Sequence, residues 1–309
     1  MRISVIIPTL NAEPYIKRLI ERLKKQTVKP YEIIVVDSTS DDQTADIART
    51  LGATVLSVDR RSFDHGGTRN YAASHATGDV FTFITQDAIP ANEQYLQNMI
   101  QPFEDTDVVA AYGRQVSVAD TNVLERMNKE FNYPPDPMRK SLADVKRLGI
   151  KTFFFTNVCS AIRSATFHKV GGFPSPIVVS EDMIIAAKCI LAGYTVAYAA
   201  DAQVYHSHNY TLKQTFTRYF DIGGSIRMNK WILEYTPAEG EGARLMKTQL
   251  SRLIKPRMWR WLPRWVAESA IKYLGYRMGL IHHALPRVIR RKCSMHPLFW
   301  DQKETTKSM

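Results

Sequence analysis

Polar side chains follow three short apolar runs of the sequence, each at the point where the run ends. They are Pro8-Thr9-Leu10-Asn11 after the first run, Asp37 after the second, and Thr85-Gln86-Asp87 after the third. Carboxylates hold divalent cations or remove protons, while hydroxyl and amide groups bind the polar edges of a ligand. The spacing therefore favours a site that combines a polar ligand with a cation.

A second group of ionisable residues lies in the later half of the chain. Glu181 and Asp182 are adjacent carboxylates at the start of a predicted helix, and His206 follows a predicted strand. The carboxylates suit acid-base chemistry, and His206 could join Asp87 around a cation. Two structural alternatives stay open, because first-turn acids also interact with a helix dipole and Ser180 could cap that helix.

The glycine-rich stretch 63–70 reads Phe-Asp-His-Gly-Gly-Thr-Arg-Asn and runs into a predicted helix. It matches neither the dinucleotide-binding GxGxxG pattern nor a Walker sequence. Its backbone N–H groups and Arg69 could bind an anion or a ring rich in carbonyl groups. The alternative is that Gly66 and Gly67 only form a turn.

The elements that carry these residues alternate in type along the first hundred residues. Ile- and Val-rich runs predict strands at 3–7, 32–36, 54–56 and 80–84. Apolar residues at helical spacing predict helices around 16–23 and 45–51. Such alternation predicts an α/β fold with a mostly parallel central sheet flanked by helices. Ligands bind such sheets at the carboxyl ends of the strands, where the polar residues lie.

Charge divides the 309-residue chain into two predicted regions. Residues 244–292 hold 13 Lys or Arg against the single acid Glu268, a net charge of +12. Since residues 293–309 sum to zero, the total of +11 leaves −1 for residues 1–243. We predict a catalytic domain at 1–243 and a basic helical extension at 244–309. With only three cysteines and no CxxC spacing, a disulfide scaffold is not expected.

Six motifs resemble the family-2 glycosyltransferases, which are inverting, nucleotide-sugar-dependent enzymes of the GT-A fold. The resemblance covers roughly residues 1–225 in the family's order. Its motifs are Ser4 to Asn11, Ile34 to Thr44, Gly67-Thr68-Arg69-Asn70, Thr85-Gln86-Asp87, Val170-Gly171-Gly172-Phe173 and Glu181-Asp182. In the fourth of these, the family's Asp-x-Asp motif has Thr85 in place of its first aspartate.

The resemblance implies roles for particular residues. The nucleotide-sugar would contact Pro8, Thr9, Asn11, Asp37, Arg69, Thr85 and Gln86, with Asp37 and Arg69 reading the base. Asp87 and His206 would hold Mg²⁺ or Mn²⁺. Asp182 would be the base that deprotonates the acceptor hydroxyl, and Glu181 would orient the substrate or the loop.

The closest resemblance within this family is to bacterial rhamnosyltransferases. It is carried by Thr85-Gln86-Asp87-Ala88 and by the His-Gly-x-x-Arg-Asn sequence at 65–70. It implies transfer from dTDP-L-rhamnose to a saccharide acceptor, free or lipid-linked, in surface polysaccharide synthesis. Two alternatives remain: a UDP-hexose or UDP-N-acetylhexosamine donor, and a non-catalytic protein that acts through its basic extension.

The basic extension interleaves arginines and lysines with Trp259, Trp261 and Trp265, which suits an anionic membrane surface. Neither a signal peptide nor a long apolar run is apparent, so we expect a cytoplasmic protein, peripheral on the inner face of the plasma membrane. The alternatives are a helical face that packs on the body or forms an oligomer, and a nucleic-acid patch, which the near-neutral body disfavours. We interpret 122–149 as an acceptor-side loop.

Overall fold

A computed structural model of the protein describes residues 1–236, 240–256 and 258–301. Arg257 and residues 302–309 of the predicted extension lie outside the described residues. The strands are β1 (Ile3–Thr9), β2 (Glu32–Asp37), β3 (Thr54–Ser57), β4 (Val80–Ile84), β5 (Ile89–Pro90), β6 (Val108–Val116), β7 (Met138–Lys140), β8 (Cys159–Arg163) and β9 (Thr195–Tyr205). The helices are α1 (Glu13–Lys24), α2 (Thr44–Thr50), α3 (His65–Ser74), α4 (Tyr95–Ile100), α5 (Val123–Asn132), α6 (Val145–Leu148), α7 (Ser164–Lys169), α8 (Glu181–Leu191), α9 (Leu212–Met228), α10 (Glu241–Leu253), α11 (Leu262–Leu280) and α12 (Arg287–Cys293).

The strands form one sheet in the order β3-β2-β1-β4-β8-β6-β9-β5, and β7 pairs with β9. The four N-terminal strands are parallel, as predicted. Beyond β4 the sheet is mixed: β8 runs antiparallel to both β4 and β6, whereas β6 and β9 are parallel. The parallel half thus brings the ends of β1, β2 and β4 to one edge.

Alternate residues of the central strands enter two separate cores. Val5 and Val35 face the helices α1, α2 and α4, whereas Ile6 and Ile34 face α3, α7 and α8. This division is the expected consequence of the two-residue period of a strand. The sheet is therefore covered by helices on both faces, which explains why its strands are apolar throughout.

Two stretches differ from their sequence interpretation: 122–149, and 153–155, whose three phenylalanines are typical of a strand. The stretch 122–149 contains α5 and β7, so its interpretation as a loop outside the core was wrong. Strand β7 was missed because its sequence, Met-Arg-Lys, is mostly polar. Lys140 is nevertheless only 2% exposed, and its ammonium lies over the Tyr112 ring. The aromatic residues 153–155 end a 3₁₀ turn and precede β8; they belong to the core and not to a strand.

The basic C-terminal helices pack on the body through glycines. A Cβ atom on Gly279 of α11 would lie 2.1 Å from the carbonyl oxygen of Phe220, and one on Gly223 of α9 would lie 2.2 Å from that of Tyr276. Only glycine permits so close a contact between the two helix backbones. Helix α11 is therefore docked on α9 over much of its length.

The three tryptophans of the extension occupy different environments. Trp261 and Trp265 pack beside the buried Leu124 and Leu253, and the indole N–H of Trp265 donates to Gln249 at 2.9 Å. Trp259 is 68% exposed. Trp259 is thus the most exposed of the three tryptophans, because an apolar cluster of the protein itself partly buries Trp261 and Trp265. Within the described parts of the chain, each helix is too short or too polar to cross a bilayer.

Candidate active site

A cavity of about 470 Å³ opens where β1, β2 and β4 end. Six predicted site residues line it: Pro8, Thr9, Arg69, Thr85, Gln86 and Asp87. Its volume lies in the usual range for a small-molecule pocket. A cavity of about 530 Å³ lies elsewhere, between α4, β7 and β9, but none of the predicted site residues lines it. The cavity at the strand ends is therefore the candidate active site, because the predicted site residues line it.

Asp37 is 4% exposed and its carboxylate is engaged by the protein. Oδ1 accepts the hydroxyls of Thr9 at 3.0 Å and Ser40 at 2.6 Å, and Oδ2 accepts the Ser40 N–H at 2.9 Å. Asn11 is also engaged, since its side-chain oxygen accepts the N–H of Asp41 at 2.9 Å. Neither residue lines the cavity. Both hold together the loops that follow β1 and β2.

Among the residues that the structure describes, three other than glycine have a positive φ, and all three border these loops or the acidic pair. They are Asn11 at 50°, Thr39 at 57° and Ser180 at 69°. Such a φ is strained for a β-branched residue such as Thr39, and strain of this kind concentrates at functional sites. Ser180 stands at the N-cap of α8 but makes no side-chain cap hydrogen bond, so the predicted capping role is not observed.

The glycine-rich stretch is organised by Asp64, which caps α3. Its carboxylate accepts the backbone N–H groups of Gly66 and Gly67, both at 3.0 Å. These donors are therefore not available to an anion, contrary to the sequence interpretation. Gly66 is required for packing instead, because a Cβ atom there would lie 1.9 Å from the carbonyl oxygen of Pro174.

Arg69 connects the cavity to the acidic pair. Its guanidinium lies 3.3 Å from the Glu181 carboxylate and donates to the carbonyl oxygen of His65 at 2.8 Å. Both charged side chains are buried, at 5% and 7% exposure. A buried charge needs such a partner, so each fixes the position of the other.

Asp182 lies beside Glu181 and is bound by backbone groups. It accepts the N–H of Asn157 at 3.2 Å and that of Met183 at 2.8 Å. Burial and the neighbouring charge of Glu181 raise the pKa of Asp182 to about 7. A carboxylate whose pKa is near neutrality is suited to accept a proton from a substrate.

Asn157 joins the acidic pair to the end of β4. Its amide nitrogen donates to Glu181 at 3.0 Å, and the next residue, Val158, accepts the N–H of Thr85 at 3.2 Å. Sequence analysis assigned no role to Asn157, because its contacts join two elements that are far apart in the chain. Asp182 is therefore held close to Thr85-Gln86-Asp87.

A candidate metal centre consists of Asp87, His206 and His208. The Asp87 carboxylate lies 3.6 Å from His206 Nε2 and 3.3 Å from His208 Nε2. Burial opposes ionisation of Asp87, but the hydrogen bond and charge of His206 outweigh it and hold the pKa of Asp87 well below its usual range. Sequence analysis predicted Asp87 and His206 but not His208, although the His-x-His spacing was a signal.

The orientation of His206 fits a metal ligand. Its Nδ1 lies 2.9 Å from Oε1 of Gln115, whose amide nitrogen donates to the hydroxyls of Tyr133 and Thr156. With a cation bound, Nδ1 of His206 would donate to Gln115 and Nε2 would face the cation; the Lys129 ammonium also lies 3.3 Å from Nδ1. Such an outer hydrogen bond is typical of metal-bound histidines. The three side chains can therefore hold a divalent cation.

The C-terminal residues 295–299 also line the cavity. Sequence analysis assigned them no function, since they follow the basic region and carry no recognisable motif. His296 lies against His65 of the glycine-rich stretch, with 3.4 Å between their Nε2 atoms. Residues 295–299 thus form part of a cavity wall whose other residues come mostly from the first hundred of the chain.

Known proteins resemble this chain in sequence and in structure. Residues 4–171 match the family model of glycosyl transferase family 2. An O-antigen chain rhamnosyltransferase of Salmonella typhimurium, RfbN, is 40% identical over 100% of this chain and 99% of its own length. WbaN of Salmonella anatum, of the same description, is 39% identical over 99% and 98%. A mannosyltransferase from Pyrobaculum calidifontis, solved with GDP-Man and Mn²⁺, superposes with a TM-score of 0.61 at 19% identity, over 90% of this chain and 87% of that one.

The metal centre predicts that His208 is a ligand. We expect His208→Ala to weaken Mn²⁺ binding by at least about tenfold, because loss of even an outer partner of a ligand costs that much. Titration of the protein with Mn²⁺, followed by electron paramagnetic resonance with and without dTDP, measures the effect.

The matched control is His75→Ala, since His75 is exposed at the end of α3, away from the cavity lining. It should bind Mn²⁺ as the wild type does. Unchanged Mn²⁺ affinity in His208→Ala would remove this residue from the site.

Proposed function

The chain belongs to glycosyl transferase family 2, and on that premise we propose that it transfers L-rhamnose from dTDP-L-rhamnose to a saccharide hydroxyl in surface polysaccharide synthesis. The observation that carries the proposal is the 40% identity to an O-antigen chain rhamnosyltransferase over the whole chain. The predicted enzyme class and the GT-A-like α/β fold are both confirmed. Because the chain belongs to a family of enzymes, the non-catalytic alternative is not supported.

The donor would occupy the cavity at the strand ends. Thr9, Arg69 and Thr85 offer polar groups along its wall. Gln86 binds the loop after β1, since its side chain donates to and accepts from the backbone of Leu10. Asp37 and Asn11 would position the loops next to the donor without lining the cavity themselves. Asp37 would do this through its hydrogen bonds to Thr9 and Ser40.

Asp87, His206 and His208 would hold the divalent cation, which supplies charge neutralisation for the departing diphosphate. Two imidazoles beside one carboxylate favour Mn²⁺ over Mg²⁺, because Mg²⁺ prefers oxygen ligands. A mannosyltransferase of the same fold was solved with Mn²⁺. We therefore propose Mn²⁺ as the preferred ion.

Asp182 is the proposed base that removes the acceptor proton as the acceptor oxygen attacks the anomeric carbon. Glu181 is less suited, because its carboxylate is paired with Arg69 and accepts the Asn157 amide. Glu181 therefore serves to hold Arg69 in place and to keep the pKa of Asp182 raised. One displacement inverts the anomeric centre and needs no covalent enzyme intermediate.

Donor selection tests the proposal. We expect dTDP-L-rhamnose to bind more tightly than UDP-glucose or UDP-N-acetylglucosamine in calorimetric titrations with Mn²⁺. Asp37→Ala should weaken binding, because Thr9 and Ser40 would lose their common acceptor. A preference for a UDP-sugar would instead support the alternative donors, and failure of every nucleotide sugar to bind would overturn the proposal.

The role of Asp182 predicts a pH dependence. Turnover should rise with pH through about 7, because the carboxylate must be deprotonated to act as a base and its pKa is about 7. Asp182→Asn should lower turnover at least about 100-fold while leaving donor binding unchanged. Release of dTDP from dTDP-L-rhamnose, with a lipid-linked saccharide extract as acceptor, measures both effects.

The control for this substitution is Asp136→Asn, which changes an exposed carboxylate in the same manner. Full turnover by Asp182→Asn would exclude Asp182 as the base. A turnover that did not vary between pH 6 and 8, a window of about one unit on each side of this pKa, would do the same.

An anionic membrane surface is the second proposed partner, and the structure suggests which face would meet it. On α11 and at the residue that follows it, Val266, Tyr273, Leu274 and Ile281 recur at helical spacing and are 51–60% exposed. Exposed arginines on the same helix, Arg264 and Arg277, add positive charge. An apolar stripe with flanking cations is typical of helices that lie on anionic lipid. We propose that this stripe, with Trp259, places the enzyme on the inner face of the plasma membrane.

Sedimentation with phosphatidylglycerol vesicles tests this surface. We expect Tyr273→Glu/Leu274→Glu to reduce the bound fraction severalfold, since it places two charges in the apolar stripe, and added salt to weaken wild-type binding. Tyr15→Glu, at a 45% exposed position on α1, is the matched control and should bind normally. Equal binding of all three proteins would exclude the stripe.

A further inference from the structure

We propose that His296, carried into the cavity by the C-terminal segment 294–301, is a donor-binding residue that contacts the diphosphate together with His65. This inference rests on the proposed function, because it assigns the cavity to a nucleotide-sugar. It adds a residue from outside the region that the family model matches, residues 4–171.

The segment is anchored at its beginning by Asp221 of α9, a carboxylate with no exposed surface. Asp221 accepts the hydroxyl of Ser294 at 2.6 Å and the N–H of Met295 at 2.8 Å. The Ser294 hydroxyl oxygen accepts the N–H of His296 at 2.8 Å. These bonds set the direction in which the chain leaves α12.

The segment is anchored at its end by Trp300, which is fully buried. Its ring lies 5.0 Å from that of His282 and 5.9 Å from that of Phe220, between centroids. Asp301, the next residue, is paired with Arg287 at 2.9 Å. With both ends fixed, the five residues 295–299 are confined to the cavity wall.

His296 and His65 meet at the cavity wall. Their rings are perpendicular, at 89°, with the two Nε2 atoms 3.4 Å apart. That distance is long for a hydrogen bond, so the contact satisfies these nitrogens poorly. Burial and the charge of Arg218 lower the pKa of His296 to about 4, so the imidazole is a neutral hydrogen-bond donor at pH 7.

The surroundings of the two imidazoles favour an anion. Arg69 also lines the cavity, and the charge of Arg218 acts on both histidines. The charge of Glu181 also acts on His296, but that carboxylate is paired with Arg69. Asp64 is the acid nearest to His65 in the sequence, but its oxygens are occupied by Gly66, Gly67, Ser175 and Ile177. Asp87 would be covered by its cation. The diphosphate is the anionic part of the donor, and imidazole N–H groups bind phosphate oxygens well.

Calorimetric titration with dTDP, dTMP and thymidine, each with Mn²⁺, tests the inference. We expect His296→Ala to weaken dTDP binding about tenfold, as loss of a charge-assisted hydrogen bond does, and to leave thymidine binding unchanged. His296→Gln should recover part of the loss, because an amide N–H can still donate. Ser294→Ala should reproduce a smaller loss by loosening the anchor.

The matched control is His283→Ala, an exposed histidine of the same C-terminal region, which should bind dTDP normally. Unchanged Mn²⁺ affinity and melting temperature in His296→Ala would support a local effect. Equal loss for dTDP and thymidine, or no loss at all, would overturn the inference while the proposed function stood. Absence of nucleotide binding by the wild type would overturn both the inference and the proposed function. If UDP binds in place of dTDP, only the donor assignment fails. Weaker UDP binding by His296→Ala would then still support the contact between His296 and the diphosphate.

Discussion

The buried ion pair between Arg69 and Glu181 is the constraint on which the rest of the site depends. It joins α3 to α8 across the end of the sheet at 3.3 Å, with little access for water. Removal of one partner of such a pair leaves an uncompensated charge and costs about 3–5 kcal/mol. The pair also has a chemical consequence, because burial and the charge of Glu181 raise the pKa of the neighbouring Asp182 carboxyl. Structural stability and the proposed proton transfer would thus depend on the same charge.

The loops at the strand ends are fixed by side chains and not by regular structure. Asp37 binds the loops after β1 and β2 together, Gln86 clamps the backbone of Leu10, and Asp64 closes the start of α3. The positive φ angle of Thr39 persists because Asp37 binds the next residue, Ser40, through both its N–H and its hydroxyl. A cavity with walls fixed in this way loses little entropy when a ligand binds.

The C-terminal region combines two surfaces in one compact arrangement. Glycine contacts press α11 against α9, which leaves an apolar and basic stripe on the outside. The following segment turns back through Asp221 and Trp300 to line the cavity. Helices α9 and α11 thus pack together, and α9 also anchors the segment that lines the cavity.

The sequence by itself determined the parallel half of the sheet, the family and most of the residues at the strand ends. Apolar runs followed directly by Asp37, or within three residues by Asp87, carry this information locally, because a strand's burial and its end are both visible in neighbouring residues. Only the folded chain decides what depends on distant contacts. Asn157, Asp64 and His296 gain their roles from elements that meet only in the folded chain, and Trp261 and Trp265 are partly buried by a cluster that includes the distant Leu124. Spacing along a chain reveals periodicity but not which surfaces meet, since that depends on the simultaneous packing of all the elements.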